Sequence, residues 1–142
     1  MSWPISLMAS RIFHQVAVGI VIDKQNRILI SKRHSHQLEG GFWEFPGGKI
    51  ERDESPEQAL IRELQEEVGI LVLTFSLMMK LHHDYSKHSA ALEVFVVTDF
   101  KGEPKGLEDQ EIRWISENEI SNFNFLEANK KIIEVFLLKK WQ

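Results

Sequence analysis

Along the middle of the chain, apolar residues recur at helical spacing: Leu60, Leu64 and Val68 form one stripe, with polar residues around it. The residues at either end set the limits of this helix. Ser55 can cap it, Pro56 suits the first helical position, and Gln58 stands three after the cap and completes a capping box. Gly69 supplies a left-handed stop, so the spacing predicts a helix over Pro56–Val68. Beside its apolar stripe, Glu63, Glu66 and Glu67 stand at i, i+3 and i+4, which places three carboxylates on one face.

Elsewhere the pattern is that of strands. Phe13 to Ile22 is mostly apolar and β-branched, as in a largely buried strand, with Gly19 marking a bulge or a close backbone approach. Asp23-Lys24-Gln25-Asn26 reads as a turn, and Arg27 to Lys32 as a second strand, so the two are expected to form a hairpin. Gln37 to Gly41 is loop, and Phe42 to Gly48 a short aromatic strand running into a turn, with Trp43 and Phe45 expected in the core. Leu71 to Leu81 and Ala90 to Thr98 are further strands, joined by a polar loop from His82 to His88. After the break at Gly102 to Gly106 come a short strand, Ile112 to Ile115, and a capping box at Ser116 to Glu119 that opens a short helix. Leu126 to Lys140 then has helical spacing, with Ile132, Ile133, Phe136 and Leu137 inward. This order predicts an α/β (α+β mixed) fold, a mixed sheet between helices in three layers.

Composition narrows the class. With 142 residues the chain has the size of one domain, and 43% hydrophobic and 27% charged residues are ordinary for a globular protein. We expect a mobile N-terminal extension over residues 1–11 and a single domain over 12–142. Zero cysteines exclude disulfide and thiol chemistry and fit a reducing compartment. No membrane-spanning run is present, and the opening residues lack a basic, then apolar, leader, so a cytoplasmic monomer is expected. A net charge of −4 argues against binding duplex nucleic acid, whose affinity rests on many cationic contacts to phosphate. A small phosphorylated ligand held through a metal remains compatible.

The acidic helix face has two readings. Arg62 and Glu66 can form an ordinary i, i+4 surface pair. Alternatively, the carboxylates hold a metal: two unit charges 4 Å apart repel by about 4 kcal/mol at an effective dielectric near 20, and a divalent cation relieves that. Oxygen-only donors favour Mg2+, with Mn2+ as a substitute, over zinc. Arg33, His34 and His36 can meet a phosphate or a base, or simply form a solvated loop. The histidines of the 82–88 loop suit a lid or substrate edge better than a metal site.

In front of the helix, Gly48 is followed by Glu54, then Arg62-Glu63-Leu64-Gln65-Glu66-Glu67-Val68-Gly69-Ile70. This spacing resembles the Nudix box at every specified position. Val18-Gly19-Ile20, Ser31-Lys32-Arg33, Glu44 to Glu51, Ser55 to Ala59 and Gly102-Glu103-Pro104 extend the resemblance to the bacterial MutT branch, the 8-oxo-dGTP diphosphatases, over almost the whole chain.

The resemblance implies an α/β/α sandwich, a requirement for Mg2+ or Mn2+, and hydrolysis of 8-oxo-dGTP to 8-oxo-dGMP and pyrophosphate, which sanitises the nucleotide pool and avoids mutation. It makes Glu66 and Glu67 metal ligands, Glu63 a ligand or the base acting on water, and Gly47 and Glu108 further ligands, with Glu54 and Arg62 holding the carboxylates. Arg33, Phe45, Gly48, Tyr85 and Asn129 fall at substrate-binding positions. So does Leu38, where the family has a histidine, and the segment from Tyr85 to Ala90 departs in its polar residues; both departures bear on base preference. Broad-specificity hydrolysis of other (d)NTPs, CTP or ADP-ribose is the alternative. A non-catalytic nucleotide-binding module is disfavoured by the intact box.

Overall fold

The computed structural model describes residues 12–37, 40–85 and 87–139. The expected N-terminal extension and Leu38 lie outside them. The described residues form seven strands: β1 (Ile12–Val21), β2 (Ile28–Lys32), β3 (Trp43–Glu44), β4 (Gly47–Lys49), β5 (Leu71–Asp84), β6 (His88–Lys101) and β7 (Ile112–Ile115). Among the same residues two α-helices, α1 (Pro56–Val68) and α2 (Glu127–Leu138), flank them, with a 3-10 helix at Glu117–Asn122.

Helix α1 starts and stops where its sequence requires. Ser55 Oγ accepts from the Gln58 N–H at 3.1 Å, Gln58 Oε1 accepts from the Ser55 N–H at 2.9 Å, and Gly69 takes the left-handed cap at φ 74°.

The strands divide into two sheets, β4-β1-β6-β5 and β3-β2-β7. β1 and β6 run parallel from Ile12↔His88 to Val21↔Val97 without a break in register, and the other pairings are antiparallel. Alternation along the strands builds two cores. Val18, Ile20, Val94 and Val96 face α2, packing with Ala128, Ile132 and Phe136. Ala17, Val21, Phe95 and Val97 face α1, packing with Leu60, Leu64 and Val68. Fully burying a leucine of this kind contributes roughly 2 kcal/mol. The expected helix–sheet–helix layering holds, with a central layer made of two sheets. Gly19 marks a close approach and not a bulge: a Cβ there would stand 2.9 Å from Leu64 Cδ1 and 3.1 Å from Leu60 Cδ1.

Four local expectations need correction. The predicted β1–β2 hairpin reduces to one bridge, Ile22↔Ile28. The turn exists, closed by Asp23 Oδ1 accepting from the N–H groups of Gln25 and Arg27, but both edges of β1 are occupied by β4 and β6, so β2 enters the other sheet. The polar 82–88 segment is not all loop. β5 continues to Asp84 and β6 begins at His88, with Asp84 paired to Ser89 and the tip closed by Tyr85 N–H donating to the His88 carbonyl at 2.8 Å. Finally, Leu137 is 47% exposed, since the buried arc of α2 is filled by Ala128, Asn129, Ile132, Ile133 and Phe136. Phe42–Gly48 also yields two short strands in different sheets in place of one, with Trp43 and Phe45 buried as expected. Among the described residues no helix is long and apolar enough to cross a membrane.

Candidate active site

Alternate residues of the parallel pair, His14, Val16 and Val18 on β1 with His88, Ala90 and Leu92 on β6, floor a cavity of about 400 Å³. At one end stand Gly47, Gly48, Glu63, Glu67 and Glu108. Phe45, Asn129, Arg33 and Tyr85 complete the walls. Nine of the positions singled out in the sequence are thus brought to one cavity, although they come from strands, loops and both helices. Glu54, Arg62 and Glu66 are outside its lining.

Those three explain how the carboxylates are held. Arg62 donates from Nε to Glu54 Oε2 at 2.7 Å and from Nη2 to Glu54 Oε1 at 2.9 Å, a two-pronged pair. Its Nη2 also reaches the Lys49 carbonyl at 3.0 Å, and its Nη1 reaches Glu63 Oε1 at 2.8 Å and Glu66 Oε2 at 3.2 Å. Hydrogen bonds from Arg62 and from the Glu51 N–H pull the Glu54 carboxyl down to about 2, so it is ionised throughout the neutral range. The i, i+4 pair of Arg62 with Glu66 exists, as the simpler reading expects, but as one contact of a larger hub. Glu66 itself is exposed and turned away from the cavity lining.

Glu67 is the unusual group. It is 8% exposed, and its Oε2 accepts from the Gly47 N–H at 3.1 Å. Burial pushes its carboxyl up to about 8 against that hydrogen bond, and Glu44, Glu108 and Glu63 push the same way. Burial likewise raises Glu63, opposed by Arg62. Gly48 makes room for this: a Cβ there would fall on the Glu63 carboxyl group. Among the described residues no three acidic or imidazole groups already converge on one point, so the ligand set inferred from the sequence is dispersed in this structure. Its chemistry nonetheless fits a hard divalent cation. Several carboxylate oxygens face one cavity, one of them buried with too little positive charge beside it, and no sulfur donor is present.

At the far wall, Asn129 is 7% exposed and its Oδ1 accepts from the Phe45 N–H at 2.9 Å. A backbone N–H can only donate, so this bond fixes which way the amide points. Arg33 is paired with Glu44 at 3.3 Å.

Several lining residues were not singled out in the sequence: His14, Gln37, Glu44 and Lys49; His88, which also lines the cavity, belongs to the segment expected to form a lid or substrate edge. Tyr85 stacks on His88 with ring centroids 4.3 Å apart, and His14 meets His88 edge-on at 5.4 Å. Burial, Lys49 and His88 all lower the His14 pKa and keep this ring neutral near pH 7. Period-two spacing of His14 with Val16 and Val18 is the signal that marks it, once the face of β1 is known.

Comparison with known proteins identifies the family. The family model described as NUDIX domain matches residues 17–135. An 8-oxo-dGTP diphosphatase of Escherichia coli is 42% identical over 119 residues, covering 84% of this chain and 92% of that protein. A CTP pyrophosphohydrolase of the same organism is 33% identical over 120 residues, covering 84% and 89%. A structure solved in work on MutT from Aliivibrio salmonicida and Vibrio cholerae superimposes with a TM-score of 0.77 at 38% identity, over 89% of this chain and 99% of that one. The chain, with its box of acidic residues on a capped helix beside a glycine-rich strand, belongs to the Nudix family.

Proposed function

We propose that this Nudix hydrolase acts on 8-oxo-dGTP, releasing 8-oxo-dGMP and pyrophosphate, as a monomer in the cytoplasm with Mg2+ or Mn2+. The observation that carries the choice of base is Asn129. Its Oδ1 keeps a second lone pair after accepting from Phe45, and its Nδ2 keeps its protons. Oxidised guanine offers a carbonyl oxygen at position 6 and an N–H at position 7, matching a donor and an acceptor side by side. Ordinary guanine has a lone pair at position 7, which would meet the Oδ1 lone pair. The similarity to relatives named 8-oxo-dGTP diphosphatase supports the same reading.

At the other end Glu63, Glu67, Glu108 and the Gly47 carbonyl would hold the cation, and Glu66 would join them by turning in from Arg62 and solvent. When bound, it neutralises phosphate oxygens and acidifies a water molecule. The protein's own part is positional. Arg62 fixes Glu63 Oε1, which leaves Oε2 to take a proton from the attacking water, a contribution of roughly 10² to 10⁴ in rate. The Val16, Ala90 and Leu92 floor excludes water beneath the nucleoside, and Arg33 and Tyr85 border it.

Products and metal dependence test the reaction. With Mg2+ present, 8-oxo-dGTP should yield equal amounts of monophosphate and pyrophosphate, and chelation by EDTA should stop turnover reversibly. Release of inorganic phosphate and a diphosphate, or turnover that survives chelation, would refute the assignment.

A further inference from the structure

Glu108 is exposed and sits on a loop, a poor place from which to complete a metal site. The loop is nevertheless tied to α1. Gln110 donates from Nε2 to the Glu67 carbonyl at 3.0 Å, and its Oε1 accepts from the Glu108 N–H at 2.9 Å. The Leu107 N–H reaches the same Glu67 carbonyl at 3.0 Å, and the Lys105 N–H reaches the Val68 carbonyl at 3.0 Å. From the opposite side, His34 Nε2 meets the Glu108 carbonyl at 2.8 Å. One side-chain amide therefore bridges the backbones of two residues whose carboxylates face the same cavity from different elements.

We infer that Gln110 is a positioning residue, whose amide sets the distance between Glu67 and Glu108 and so prepares the cation site for metal. The inference rests on the reading above that both carboxylates hold the cation. The Glu67 and Val68 carbonyls lie at the end of α1, where helical partners run out, so the loop also caps the helix. Capping alone would act on stability. Positioning acts on the affinity for metal and only through Glu108.

Titration of the nucleotide-free full chain with Mn2+ alone, by calorimetry or by the loss of the free-ion electron-resonance signal, separates the two. Gln110→Ala should raise the Mn2+ dissociation constant by about 10- to 100-fold while unfolding stays cooperative. Gln110→Glu, which keeps the acceptor for the Glu108 N–H and loses the donor to Glu67, should fall between Ala and the parent, and it serves if the alanine variant does not fold. On a Glu108→Gln background the Gln110→Ala change should add little, because the two act through one contact. The 8-oxo-dGTP to dGTP preference should stay within about twofold, since Gln110 does not line the base end. Parent-like Mn2+ affinity in folded Gln110 variants, with Glu108→Gln weakened, would overturn the inference and spare the metal-site reading. Parent-like affinity in Glu108→Gln would overturn both. Full additivity of the two changes would reduce Gln110 to a helix cap.

Discussion

Glu67→Gln is expected to lower kcat by about 10³-fold or more under saturating Mg2+, equivalent to roughly 4 kcal/mol of lost transition-state stabilisation. The amide keeps the size of the side chain and an oxygen for the Gly47 N–H, which bonds Glu67 Oε2 at 3.1 Å, so the fold should survive. What disappears is the charge. The same substitution carries a second expectation, with opposite sign for stability. Burial raises the Glu67 carboxyl from 4.5 to about 8. Between those values the folded chain retains a proton that the unfolded chain has released, so in the metal-free protein stability falls as pH rises from about 4.5 towards 8. Glutamine has no such dependence. Above pH 8, in EDTA, the variant should therefore be the more stable form, by up to about 5 kcal/mol, and the difference should fade towards pH 5. Urea unfolding of both proteins across that range, beside steady-state rates with Mg2+, measures both effects. Full turnover in the variant would mean that Glu67 is not part of the metal site.

Asn129→Ala is expected to act at the other end of the cavity. It removes the paired donor and acceptor, and the preference for 8-oxo-dGTP over dGTP should collapse by about 10²- to 10⁴-fold, with the larger share of the loss on the oxidised nucleotide. Because Asn129 Oδ1 also accepts from the Phe45 N–H at 2.9 Å, the variant leaves a buried donor unpaired and should be less stable by about 1–3 kcal/mol. Working well below the melting temperature separates the two effects. An equal loss on both nucleotides would show that Asn129 supports the wall without reading the base.

Helix α1 was legible in the sequence almost to the atom, because capping, proline and glycine signals are local and agree with the apolar period. The three layers followed from the order of elements. Pairing was less accessible. β1 lies beside β6, a strand some seventy positions later, and nothing in the turn at Asp23 to Asn26 says that both edges of β1 are already taken. The strand ends at Asp84 and His88 were missed because polar residues there are paired by cross-strand register, which composition does not report. Leu137 fits the helical period and fails only because the facing surface is narrower than the period allows.

The site shows the same division. The spacing of Glu63, Glu66 and Glu67 was plain, but only the fold shows that Glu63 and Glu67 face the cavity while Glu66 turns to Arg62 and solvent. His14 and Lys49 reach the cavity from strand faces whose orientation depends on sheet order, and no local motif marks them.

The measurement that bears most directly on the proposed function is kcat/KM for 8-oxo-dGTP, dGTP and CTP under one set of conditions with Mg2+. An Asn129 amide that reads the oxidised edge predicts a preference of about 10³-fold or more for 8-oxo-dGTP over both others. Comparable values for all three, or a preference for CTP such as the similarity to a CTP pyrophosphohydrolase would suggest, would contradict it.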